Sequence, residues 1–168
     1  LEALEDKTDQ TVDVSAVTAI NGYTADIAAV IANAQITRPA NYTSSVTNTV
    51  DTGTELGDLN TLLGDTNQVV TVTDIDGAAN TINAALGNGD SADKLSFDIT
   101  GAAAASDLEA LEDKTDQTVD ASAATAVNGD TATIALVIAN GAITRPANYT
   151  STVSNTVNTG TELGDLNT

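Results

Sequence analysis

The sequence predicts an α/β fold: a tandem-repeat strand–helix solenoid whose parallel strands stack in chain order, curved because helices take more room than strands. Three observations predict it. Residues 1–61 recur as residues 108–168 at a constant offset of 107, with 11 of the 61 positions changed. A shorter helical motif recurs inside that long unit. Val- and Thr-rich runs separate the copies of the motif. A chain of 168 residues ordinarily suggests one domain. Self-similarity takes precedence here, so the division is one long unit at 1–107 and the start of a second at 108–168.

The first run, Thr11–Ile20, places Val12, Val14, Ala16, Thr18 and Ile20 at alternate positions, which is strand patterning. Asn21-Gly22 ends it as a turn signal. The helical motif follows at Asp26, with Ile27, Val30 and Ile31 on one face. Copies start at residues 58, 81, 107 and 133, giving the stripes Leu59/Leu62/Leu63, Ile82/Leu86, Leu108/Leu111 and Ile134/Val137/Ile138. Between them lie the strand runs Tyr42–Val50, Val69–Ile75, Leu95–Thr100 and Thr118–Val127, with Gln35–Ala40 and Ala142–Ala147 read as loops. Ser106 and Glu109 have the spacing of a capping box. Strand, helix, strand in sequence makes successive strands parallel, joined by right-handed crossovers. Helices of roughly 8–12 residues are marginal alone, and one coil buries too few aliphatic side chains to offset its chain entropy. Coils must therefore cover one another. Near-identical units favour open stacking over a closed barrel, because each unit then meets the same neighbour.

Composition narrows the function classes. The chain has 24 acidic residues against 5 basic ones, a net charge of −19, and no His, Cys, Met or Trp. Phosphate backbones need Lys and Arg, so nucleic acid is excluded as a partner, and anionic membrane surfaces are disfavoured. No apolar run reaches the ~20 residues of a membrane span. Without Cys there is neither a disulfide framework nor a thiolate metal site. Without His or Cys the commonest bases and nucleophiles are missing. Paired carboxylates could serve a glycosidase, but the chain has almost no aromatic surface to hold a sugar. The expectation is a protein that is not an enzyme.

Asp51, Asp74 and Asp76 are the candidate metal ligands. Asp74 and Asp76 share one strand face beside a turn, and Asp51 and Asp74 each precede a helical motif by seven residues. If the coils stack in that register the carboxylates gather, and Ca²⁺ is the cation that clustered oxygen ligands suit. The plainer reading is a solvated acidic edge that discourages wrong strand pairing. Asn41 and Asn148 head glycosylation sequons. Gly87-Asn-Gly89-Asp-Ser-Ala92 spells a dinucleotide fingerprint, but it follows a helix where the phosphate-binding version precedes one, so it reads as a turn. Thr47, Thr49, Thr71 and Thr73 could belong to an ice-binding threonine array; Leu95–Thr100 interrupts it.

The strings TADIAAVIAN, TELGDLNTLLGD and AANTINAALGN, each ahead of a Val/Thr strand, resemble repeat tracts of very large bacterial extracellular proteins: adhesins, surface-layer-like proteins and matrix fibres. The resemblance spans the whole chain and is one of composition and phrasing. It implies secretion to the cell surface or beyond and a structural or adhesive role, with copies of the chain itself as partners, end to end or laterally. It assigns no functional residue. Leu1 and Leu108 open the same word, and Thr61 and Thr168 close the same word. An interior segment of a longer array is therefore expected.

Overall fold

The computed structural model describes residues 1–167. In chain order the elements are α1 (Glu2–Glu5), β1 (Val12–Asp13), α2 (Thr24–Ala32), β2 (Ile36–Thr37), β3 (Ser44–Val46), α3 (Gly53–Asp65), β4 (Val70–Gly77), α4 (Ala79–Ala85), β5 (Lys94–Ala104), α5 (Ala105–Glu112), β6 (Val119–Asn128), α6 (Thr131–Ala139), β7 (Ile143–Thr144) and α7 (Gly160–Leu166). The protein is α/β. Strands β3 to β7 form one sheet in chain order, β3-β4-β5-β6-β7, and every neighbouring pair is parallel. Strands β1 and β2 form a second, parallel pair. Single bridges, Ala19 with Thr43 and Gly22 with Val46, carry the pairing from the first coil to the segment around β3.

The register is regular. Val12 faces Ile36, Ser44 faces Val70, Val72 faces Leu95, Phe97 faces Val119 and Val119 faces Ile143, so each partner lies 22 to 26 residues further on. The helices lie beside the sheet and pack in the same order, each against the next, from α2 to α7.

All five helical motifs form helices, and their stripes are the core. Leu59, Leu62, Ile82, Leu86, Leu108, Leu111 and Val137 have no exposed surface, while Ile31 and Ile138 are partly exposed at the margin. From the sheet come Val72, Ile75, Leu95, Phe97, Ile99, Val119 and Val127, which are all but fully covered. The alternation in Leu95, Phe97 and Ile99 works as read: each points inward, and Ser96, Asp98 and Thr100 point away.

Three local expectations are corrected. Thr11–Ile20 is not one strand: Val17 N–H reaches back to Val14 C=O, so a turn breaks the alternation, whereas β6 makes the matching Asp120–Ser122 bond and runs on. The stretches read as loops hold β2 and β7, two-residue strands that end where Pro39 and Pro146 approach, since proline has no N–H for the ladder. The Ser106–Glu109 box does not form. Helix α5 follows β5 directly, with Ala104 as its N-cap and no side-chain bond. Buried Ala103 and Ala105 fix that junction and put Ser106 inside the first turn, exposed. Capping boxes sit instead at Thr52/Glu55 and Thr159/Glu162, heading α3 and α7. Gly22 and Gly77 turn the chain from strand to helix at φ +153° and +149°, where a side chain would be strained.

Candidate functional site

Two rows of polar side chains run across the strands. The outer row is acidic. Pairing places Asp76 opposite Asp98, and Asp98 opposite Asp120. Val50 pairs with Ile75, which sets Asp51 beside Asp76 at the next rung. One aspartate per strand thus repeats over four successive coils. Carboxylate oxygens of Asp74, Asp76 and Asp98 come within 4.8 Å of one another. Asp74 accepts a hydrogen bond from the Thr49 hydroxyl of the preceding strand.

Of the three candidate metal ligands, Asp74 and Asp76 are therefore brought together. Asp98 joins them, and Asp51 lies outside that group, exposed beside Asp76. The seven-residue alignment to the helices placed Asp51 opposite Asp74. Two extra residues separate the strand from the helical stripe in this coil: Val50 to Leu59 spans nine residues and Ile75 to Ile82 spans seven. Thr49 takes the place opposite Asp74 instead. Desolvation pushes the Asp76 carboxyl above the usual aspartate range, with Asp74, Asp98 and Asp51 adding like charge. Asp98 is raised the same way, first by desolvation and then by Asp120 and Asp74.

The inner row was missed in the sequence. The Tyr42 N–H donates to the Thr66 hydroxyl oxygen at 3.1 Å, and that hydroxyl donates to Tyr42 C=O at 2.6 Å. Thr115 repeats the pair with Leu95, at 2.9 Å in both directions. Between them Asp93 accepts from the Val70 N–H at 2.9 Å and from Asp90 N–H at 3.3 Å. Burial raises the Asp93 carboxyl, and those two N–H bonds hold it down in part. Thr66, Asp93 and Thr115 are among the few buried polar residues. Each latches the start of its own strand to the backbone of the preceding one. The signal was present as a repeated word: Thr8-Asp-Gln10, Thr66-Asn-Gln68 and Thr115-Asp-Gln117, each with its Thr four residues before a Val. In all three the Gln N–H folds back onto the Thr hydroxyl.

A third arrangement surrounds Tyr42. Its hydroxyl donates to Asp65 at 2.6 Å, Arg38 pairs with the same carboxylate, and Arg38 also donates to Ile31 C=O at 3.1 Å. A cleft of about 490 Å³ lies at the first coil, lined by Leu1, Val17, Ile20, Ile27 and Val30 with Asp26 at its edge. Asn41 and Asn148 are both exposed. Thr47, Thr49 and Thr73 are exposed and Thr71 partly so, and the next strand carries Ser96, Asp98 and Thr100 at its outward positions. Among the described residues no helix is long and apolar enough to cross a membrane.

Comparison with protein-family models, with curated proteins and with solved structures finds no match. The reading of function therefore rests on the geometry.

Two outcomes follow. Thr115→Val leaves the buried N–H and C=O of Leu95 without their partner, at a cost of roughly 1–3 kcal/mol. Thr8, its exposed equivalent, makes no such bond, so Thr8→Val is expected to cost little; urea unfolding of both variants gives the difference. The second concerns pH. A carboxyl raised above its ordinary 3.8 is less favourable when ionised in the folded state. That penalty is full above the raised native value, fades as pH falls through it, and is gone below the ordinary value. Asp98→Asn is expected to raise the urea midpoint near neutral pH and to leave it unchanged near pH ~3, followed by circular dichroism.

Proposed function

We propose that the chain is a structural segment of a secreted filament or cell-surface protein, built as a strand–helix solenoid in which each coil is the template for the next. The observation that carries this reading is the identity of chain order and spatial order: parallel strands β3 to β7 neighbour one another in sequence, and the helices pack in the same succession. The 107-residue duplication supports it, since the two copies fold into matching elements, α2 with α6 and β2 with β7. Each coil meets only its neighbours, so units can be added without redesigning those already present. Strands at ~4.8 Å and helices at ~8–10 Å bend such a stack, with strands on the inner arc. The acidic row and the net charge of −19 keep it soluble and guard its exposed face against stray pairing.

Small-angle scattering of chains carrying one, two and three 107-residue units tests the solenoid. A rod or arc that lengthens by roughly 19 Å per unit, four coils at ~4.8 Å each, is the expected result. A radius of gyration that grows only as a compact domain of the same length would sink the reading. Uniform filaments in electron micrographs of native material would favour the filament over an adhesin stalk that carries a distinct tip.

A second reading keeps calcium, on the single observation that Asp74, Asp76 and Asp98 converge within 4.8 Å. In that case millimolar Ca²⁺ raises the thermal midpoint more than NaCl at matched ionic strength, and Asp98→Asn removes the excess. Equal effects of the two salts leave charge screening as the whole of it.

A further inference from the structure

The two sequons are a motif that the filament reading leaves unused. Asn41-Tyr42-Thr43 lies in the corner between β2 and β3, and Asn148-Tyr149-Thr150 is its copy after β7. In both, the asparagine and the threonine are exposed. Tyr42, between the first pair, is 1% exposed, and its hydroxyl ties it inward to Asp65. The Asn41 amide and the Thr43 hydroxyl therefore flank a residue that anchors the corner, and both stay open to solvent. Asn41 keeps that exposure with the following coil in place, since β4 pairs with β3 beside it.

Their amides are spare, where other asparagines tie coil to coil. Asn21 accepts from the Ser45 N–H at 2.8 Å, Asn48 accepts from the Thr24 N–H at 3.0 Å, and Asn83 donates to Asp107 at 3.0 Å. Asn128 and Asn155 repeat the first two bonds in the second copy, each at 2.9 Å. A sugar on any of these five would break a contact between coils, and none of them has Ser or Thr two residues on. Among the described residues, neither Asn41 nor Asn148 makes a side-chain hydrogen bond.

We infer that Asn41 and Asn148 are N-glycosylation sites, taking an oligosaccharide from a lipid-linked pyrophosphate donor. Asn Nδ2 attacks the anomeric carbon of the first sugar. The bond from that carbon to the pyrophosphate oxygen breaks, the lipid pyrophosphate leaves with the electron pair, and one Nδ2 proton passes to a base of the transferase. The hydroxyl two residues on is what the transferase reads. This rests on the secreted reading, because such transfer happens as a chain crosses a membrane. A glycan is bulky and hydrated. With one per 107-residue unit, roughly 19 Å apart along the stack, the sugars line a single corner of the solenoid, and lateral contacts between chains are left to its other faces.

The test is peptide mass spectrometry of the native protein, with fragmentation that keeps the sugar on its residue. Peptides holding Asn41 and Asn148 are expected to carry glycan on Nδ2, and those holding Asn21, Asn48 and Asn155 to be bare. In the source cells, Asn41→Gln should remove one glycan from the intact mass, and Asn41→Gln with Asn148→Gln should remove both. Thr43→Val should lose the glycan at Asn41, while Thr43→Ser, which restores the hydroxyl, should keep it. Circular dichroism checks that the variants remain folded, so that loss of sugar is not loss of the chain. Unmodified Asn41 and Asn148 in the native protein overturn the inference, as does a glycan at Asn41 that survives Thr43→Val. Fractionation separates this inference from the reading it rests on. Bare asparagines in protein recovered outside the cell remove only the glycosylation; bare asparagines in protein confined to the cytoplasm remove secretion with it.

Discussion

The constraint on which the rest depends is that no strand here can satisfy its own backbone. Each finds its hydrogen-bond partners in a parallel neighbour 22 to 26 residues away along the chain. A parallel pair needs a crossover between its strands, and the short helices are that crossover. Their Ile and Leu stripes are then buried by default against the sheet they have just left. Helix length, stripe position and turn glycines all answer to the spacing that this pairing demands. The inner latches complete it where the ladder starts, because Thr66, Asp93 and Thr115 satisfy backbone N–H groups that lie ahead of the regular strand bonds.

The polar rows share that spacing but differ in consequence. Threonine and aspartate on the inner row are buried and bonded, so they stabilise one register over its slipped alternatives. The outer aspartates are exposed or partly so and repel each other, as the raised Asp76 and Asp98 carboxyls record. A one-residue slip would turn the outer aspartates toward the core and bury the repelling carboxylates. The outer row thus works against misregistration while the inner row works for correct registration.

What could be read from the sequence was whatever had a strong period. The five helical stripes were legible because apolar residues at i, i+3 and i+4 leave little alternative, and the core strand Leu95–Ile99 because it alternates cleanly. Thr11–Ile20 alternates as well, yet the Val14–Val17 turn interrupts it, and alternation does not reveal a local turn. The short strands β2 and β7 were hidden by the prolines that end them. The capping box at Ser106 failed because its spacing was right while the strand-to-helix junction, with Ala104 as N-cap, lay two residues too early. For the acidic cluster, the residue types were legible and the partners were not. Aligning coils by their helices shifted Asp51 by two residues, since α3 is set back from its strand by its own capping box. Strand register, which no single sequence states, is what brought Asp98 to Asp74 and Asp76.

The latches also give the molecule a direction. Thr66, Asp93 and Thr115 each reach back to a strand made earlier in the chain, to Tyr42, Val70 and Leu95. A coil emerging from the ribosome therefore meets a finished edge to bind, and the segment it needs has already been synthesised. Each strand contact closes over only 22 to 26 residues of chain, so the entropy of loop closure stays nearly the same from one pair to the next. Folding is expected to keep pace with translation, advancing one coil at a time from the N-terminal side. An unfinished chain would then expose a single acceptor edge rather than a length of unfolded polypeptide.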